Sequence, residues 1–201
     1  MKEWKVLSAA QHERASRDRI LEAARTLFSR KGFHQTSVAE VATAAQVSVG
    51  LIYRSFNSKD DIISAIVEVD AVMRDHMICQ LCDRLKTGQC SIEQTFEALF
   101  LNVTDEGDEA LSFDILAEAF RNPRVGETIS SLCNRLRQTM REFARVANPR
   151  LSGDDLAAAE ELILASMFGL GHRTLAQPEL SADRTAKGAA RMIVAALRGI
   201  A

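Results

Sequence analysis

From Ile20 to Leu197 apolar residues recur at intervals of three and four, the spacing that gathers them on one side of an α-helix. The residues that interrupt these runs are helix start and stop signals. Asn122-Pro123 pairs an N-cap residue with proline at the first helical position, while Asn148-Pro149 and Gln177-Pro178 close helices; these hold all three prolines of the 201-residue chain. Ser16 opens a first helix carrying Ile20, Leu21, Ala24, Leu27 and Phe28, with Ser8 and Gln11 as an alternative start, and Gly32 ends it. Ser37 caps a short second helix with Val38, Val41, Ala42 and Ala45 on one face, and Ser48 opens a third that is over by Phe56. Ser58 with Asp61 starts a long fourth helix bearing Ile62, Ile63, Ile66, Val69, Met73, Met77 and Leu81. Ser91 with Gln94 starts a fifth, which an acidic loop at residues 105–109 ends. A sixth holds Leu111, Ile115, Leu116, Ala119 and Phe120. A seventh follows Asn122, an eighth runs from Ser152 to about residue 176, and a ninth runs from Ser181 to Arg198. No strand-period run, repeat or low-complexity tract competes, so the expected fold is all-α with nine helices.

Composition narrows the class. Hydrophobic residues make 47% and charged residues 26% of the chain, enough apolar surface for a sizeable core and too much for disorder. The long uncharged stretches, such as 41–53 and 162–172, are too short for a bilayer span, so no membrane partner is expected. Residues 1–15 carry charges throughout and do not form a secretory signal. With no export signal, the four cysteines are expected to be reduced thiols in a cytoplasm. The net charge of −2 conceals an asymmetry: residues 1–60 hold ten Lys and Arg against six Asp and Glu, a surplus of four, which leaves −6 for the remainder. A basic head on an acidic body is the pattern of a polyanion-binding module joined to one that does not bind polyanions.

Residues 37–56 place two short helices around a tight turn at Gln46-Val47, the pattern of a helix-turn-helix whose second helix enters the major groove. Val38, Val41, Ala42, Val47 and Ile52 can pack on Leu27 and Phe28. The outer face of the third helix then presents Ser48, Val49, Gly50, Leu51, Tyr53 and Arg54. Ser48, Tyr53 and Lys59, with the helix start at Ser37, can donate to phosphates; Arg54 is the long bidentate donor for a guanine edge; Val49 and Leu51 suit thymine methyls.

These residues carry a resemblance. Arg19-Ile20-Leu21-Glu22-Ala23-Ala24, Leu27-Phe28 and Lys31-Gly32-Phe33 resemble the first helix of TetR-family regulators; Thr36-Ser37-Val38-Ala39-Glu40-Val41-Ala42 resembles the second. Val47-Ser48-Val49-Gly50-Leu51-Ile52-Tyr53 and Phe56-Asn57-Ser58-Lys59 resemble the recognition helix and the start of the fourth, so the match covers about residues 16–65. The resemblance implies a dimeric, ligand-responsive transcriptional regulator, usually a repressor, with a nine-helix fold. It also implies phosphate contacts at Ser37, Ser48, Tyr53 and Lys59 and base-facing places at Val49, Gly50, Leu51 and Arg54. The chain departs from the family pattern at Gln46, where the turn usually carries glycine. It departs again at Arg54-Ser55, where an aromatic and a histidine are frequent.

On this reading residues 1–60 form the DNA-binding domain and 61–201 an effector-binding and dimerisation domain. The partners are a palindromic double-stranded operator, a second copy of the chain and a small-molecule effector. A dimer reads half-sites one duplex turn apart. Its seam is expected on the last two helices, at Ala158, Gly169, Ala189, Ala190, Ile193, Val194 and Leu197, unless these stripes only complete the chain's own core. The long fourth helix, starting at the head, is the expected lever. A pocket for an apolar effector, uncharged or anionic, is expected from Phe96, Phe100, Phe113, Leu116, Phe120, Met140, Phe143, Met167 and Phe168, with His172 as a polar handle. His76, Cys79 and Cys82 fall near one helix face and could sense thiol redox state or a metal, but the lone C-x-x-C also fits a small-residue core. No resident metal or cofactor is expected. No phosphate loop, nucleophile elbow or metalloprotease motif appears, Glu160-Glu161 fits a solvated helix turn, and no catalytic residue is assigned. A rival of another class is a DNA-bound structural or cell-division factor that uses the same body to hold a protein partner.

Overall fold

The cap chemistry sets the helix boundaries. The computed structural model describes residues 2–105 and 109–200, with side chains described for 11, 13–104 and 109–200. The central part of the acidic loop, 106–108, lies outside the described residues. Among those described there are nine α-helices: α1 (Lys2–Lys31), α2 (Val38–Ala44), α3 (Val49–Ser55), α4 (Lys59–Lys86), α5 (Ile92–Asp105), α6 (Glu109–Arg121), α7 (Pro123–Ala147), α8 (Gly153–Gly171) and α9 (Ala182–Gly199). Ser37, Ser48 and Ser181 cap α2, α3 and α9 through side-chain bonds to Glu40, Leu51 and Arg184 amides. Ser91 and Gln94 satisfy each other's amides ahead of α5, at 2.9 and 3.2 Å. Such caps contribute about 1 kcal/mol each by satisfying amides that have no partner inside the helix.

Two expected boundaries move. Helix α1 starts at Lys2, with Ser8 and Ser16 in its interior, because residues 2–15 contain no glycine or proline and several strong helix formers. Helix α8 stops at Gly171, and residues Arg173–Ala176 form a separate 3₁₀ turn that ends on Gln177 with φ of 49°. Ser152 makes no side-chain cap bond.

The chain forms two compact units, and their division does not fall at residue 60. The first takes residues up to 70 together with 110–129. Its core holds Ile20, Phe28, Phe33, Val41, Ile52, Ile62, Ile63 and Ile66, joined by Leu111 from α6 and Val125 from α7. Phe28 and Phe33 meet edge to face at 5.2 Å. The helix-turn-helix is therefore completed by residues remote in sequence.

The second unit takes residues 71–109 and from 130 onward. Phe96 stacks near Phe100 at 5.8 Å and meets the edge of Phe143 at 6.0 Å, and α5 packs against α8 and α9. Two expectations are corrected here. Ala190, Ile193, Val194 and Leu197 lie in this core, with Ala189 packed at its edge, so most of the α9 stripe faces the core of its own chain. Ala158 and Gly169 remain on the exposed side of α8, beside Leu162. Glu160 is not solvated: it is 1% exposed and takes hydrogen bonds from Arg137, at 2.6 Å, and from Arg141. Burial pushes its carboxyl up, but the two guanidiniums outweigh that and hold it below the ordinary value. At the end of α7, Asn148 Nδ2 donates to Leu197 O and Ile200 O, both at 2.9 Å, closing the end of α9.

Candidate nucleic-acid interface

Two short helices need a fixed turn between them, and the turn is made by backbone bonds. Gln46 N–H donates to Thr43 O at 3.2 Å and Val47 N–H to Ala42 O at 3.0 Å. Gln46 sits at φ of 56°, the left-handed region in which a side chain costs about 1 kcal/mol and glycine costs less. With the turn set, Val41, Ala42 and Ile52 face the core and Val38 and Val47 flank it.

The opposite side of α3 is open. Val49, Gly50, Tyr53 and Arg54 are exposed and Leu51 is half-buried, so the side chains expected to face bases share one accessible surface. Tyr53 is 54% exposed although aromatic. Gly50 has no steric reason within the protein to be glycine: a Cβ there would meet nothing closer than Ser48 Oγ at 4.0 Å. Ser48 Oγ accepts from Leu51 N–H at 3.2 Å, which leaves its hydroxyl proton available.

Ser37 is more engaged. It forms a capping box with Glu40, and its hydroxyl also donates to Glu40 Oε2 at 2.9 Å. Lys31 Nζ reaches Glu40 Oε1 at 2.7 Å. The Lys31 hydrogen bond, then those from Ser37, hold the Glu40 carboxyl down from 4.5 to about 2.

Lys59 is placed differently from the expectation. Its ammonium donates to Phe33 O at 2.7 Å, Thr36 O at 3.1 Å and His34 O at 3.5 Å, and lies 4.3 Å from the Phe33 ring centroid. An ammonium has three protons, so this arrangement spends them on the α1–α2 loop rather than on a phosphate.

Several contacts of the head were not legible in the sequence. Asp114 Oδ2 accepts from Phe33 N–H and Glu118 Oε1 bonds His34 Nε2, both at 2.7 Å, across 81 and 84 residues. Arg124 pairs with Asp61 at 2.8 Å, and Arg17 lies 5.1 Å from the Phe56 ring centroid. A polar cleft of about 370 Å³ opens beside them, lined by Ser55, Ser64, Glu68 and Glu127 among others. No periodic signal points to such long-range pairs.

The residues expected to line an effector pocket are not gathered in one unit. Phe113, Leu116 and Phe120 belong to the first; Phe96, Phe100, Met140, Phe143, Met167, Phe168 and His172 belong to the second. Of the latter, Phe96, Phe100, Met140, Phe143 and Met167 are core, whereas Phe168 is exposed. Phe120 is 93% exposed. His172 Nδ1 bonds Phe168 O at 2.7 Å. In α4, Cys79 is exposed and Cys82 half-buried, and burial pushes the Cys82 thiol above its ordinary value, which lowers its thiolate fraction. Among the described residues no three His, Cys, Asp or Glu side chains come together to hold a metal ion. Among them, too, no helix is long and apolar enough to cross a membrane.

Comparison with known proteins agrees with this geometry. The family model for bacterial regulatory proteins of the tetR family matches residues 20–66, and that for the tetracyclin repressor-like C-terminal domain matches residues 103–197. The chain is 28% identical over 164 residues to the HTH-type transcriptional regulator UidR of Escherichia coli K12, covering 77% of this chain and 79% of that one. The structure of Salmonella enterica GusR aligns with a TM-score of 0.65 at 25% identity, covering 90% of this chain and 95% of that one. A TetR-family structure from Mesorhizobium loti MAFF303099 aligns with a TM-score of 0.69 at 21% identity, covering 92% and 97%, and shows the shared fold.

Proposed function

Since the chain belongs to the TetR family of transcriptional regulators, we propose that it is a repressor which binds a palindromic operator as a homodimer and lets go when a small apolar effector binds. The observation that carries this reading is the accessible face of α3, where Val49, Gly50, Tyr53 and Arg54 lie together on a helix fixed from behind by Ile52. Arg54 is the residue for a guanine edge, Val49 and Leu51 are for thymine methyls, and Ser48 and Tyr53 donate to phosphates. Ser37 stands at the start of α2, also toward phosphate, while Lys59 holds the loop before it.

The dimer seam is proposed on the outward faces of the last two helices. Ala158, Leu162 and Gly169 follow one stripe of α8, and Gly188, Met192 and Ala195 follow one of α9. Leu162 and Met192 are exposed apolar side chains, and a Cβ at Gly169 or Gly188 would meet nothing within 4 Å, so a second backbone has room to approach. Helix α4 supplies Ile62, Ile63 and Ile66 to one core and Ile78 and Leu81 to the other, which suits it to carry a displacement between effector and head. Coupling of this kind is typically worth about 1–3 kcal/mol.

Genome-wide mapping of bound sites tests the reading. The expected result is one or a few palindromes with half-sites about one duplex turn apart. In gel shifts a small apolar compound related to the neighbouring genes should release the operator. Many scattered sites with weak sequence preference would overturn the repressor assignment.

A further inference from the structure

The head is pinned by a helix that follows it by some fifty residues in the chain. The loop between α1 and α2 begins at Gly32, with φ of +86°, and leads into Ser37, the cap of α2. Between them Phe33 is buried at 1% exposure, and both of its peptide groups are held by ionised side chains. Its N–H donates to Asp114 Oδ2 of α6 at 2.7 Å, and its carbonyl accepts from Lys59 Nζ of α4 at 2.7 Å. One turn further along α6, Glu118, itself buried, bonds the His34 ring at 2.7 Å. The first residue of α6 belongs to the second unit, where Glu109 accepts from the Thr174 hydroxyl; the rest of α6 belongs to the first. Among the described residues beyond 70, those in the same unit as the head are 110–129.

We propose that Asp114 is a positioning residue for DNA binding. By holding the Phe33 amide it sets the α1–α2 loop and, through it, the phosphate-facing start of α2. This rests on the DNA-binding reading above. An amide at a buried residue that loses its acceptor must find another or expose itself, so the loop cannot keep this arrangement without the Asp114 carboxylate. Glu118 strengthens the grip at the neighbouring residue. Lys59 holds the carbonyl of the same residue, so the loop is gripped on both sides of Phe33 and loses one of the two grips without Asp114.

The test uses the full-length protein and a duplex enriched from a random-sequence pool on the wild type. Three proteins are compared: wild type, Asp114→Ala, and Asp114→Asn, whose amide oxygen can still accept the Phe33 N–H. Operator affinity is measured together with amide hydrogen exchange at Phe33, and with exchange at Val41 and Ile52 as controls for the folded head. Expected for Asp114→Ala is a loss of about tenfold or more in affinity, with faster exchange at Phe33 and unchanged exchange at the controls. Asp114→Asn should bind within about threefold of wild type, since the acceptor is retained. A merely structural role would weaken binding and speed exchange at the controls in parallel, and that pattern overturns the inference. So does Asp114→Ala binding as tightly as wild type while Phe33 exchanges faster, or equal losses in the two variants. A wild-type protein that enriches no duplex overturns the DNA-binding reading itself, a result distinct from wild type and Asp114→Ala binding alike.

Discussion

At the scale of single residues the recognition face makes sharp demands. Arg54→Ala is expected to relax preference at one base pair and weaken operator binding by about 1–3 kcal/mol, leaving affinity for random duplex nearly unchanged; competition between the two duplexes measures it. Tyr53→Phe should weaken both alike. Glu40 adds a pH signature. Its carboxyl lies at about 2 in the folded chain against an ordinary 4.5, so its contribution to the head is present above about 4.5 and fades as pH falls toward 2. A carboxyl titration followed by NMR should find Glu40 ionised at pH 4; titration near 4.5 would show that the Lys31 and Ser37 bonds do not persist in solution. The cap residues were legible because capping is local: Ser37, Ser48, Ser91 and Ser181 each reach an amide three residues on. The position of Lys59 was not legible, for the opposite reason. A lysine near a recognition helix has the charge for a phosphate, and only the folded loop shows three carbonyls closer at hand.

At the scale of elements the pair α7 and α8 is joined by a buried charge. Breaking such a set by removing its carboxylate leaves two guanidiniums facing each other, and with both arginines still partly in water Glu160→Ala is expected to cost about 3 kcal/mol, read from urea midpoints at fixed protein concentration. Because the Glu160 carboxyl is held below its ordinary value, its contribution is present above that value and is lost on further acidification; Glu160→Gln should remove that part of the acid dependence. Nothing in the sequence separated Glu160 from its exposed neighbour Glu161, since a helix places consecutive residues about 100° apart and the pattern does not say which side meets α7. The α9 stripe failed similarly: spacing at three and four shows that Ala190, Ile193, Val194 and Leu197 are buried, but not whether by their own α5 or by a second chain.

At the scale of the whole molecule the two faces of α9 are expected to separate stability from assembly. Met192→Glu, on the exposed face, should convert a dimer to monomers in sedimentation while leaving helicity intact; Ile193→Ala, one residue on, should lower stability by about 2–4 kcal/mol through the cavity it opens. Monomers from Ile193→Ala without loss of stability would reverse that assignment. The nine helices among the described residues were legible from caps and period. The grouping of α6 with the head was not, because Leu111 and Val125 look like any other apolar residue until their neighbours are known.

That grouping bears on how such regulators can be recombined. A chimera joined at residue 60 would import a head whose core had lost Ile62, Ile63 and Ile66 on one side and Leu111 and Val125 on the other. If α3 reads the operator as proposed, exchange of operator preference between relatives therefore requires either transplanting two separate stretches of gene together or changing only the handful of codons for the outward side of α3.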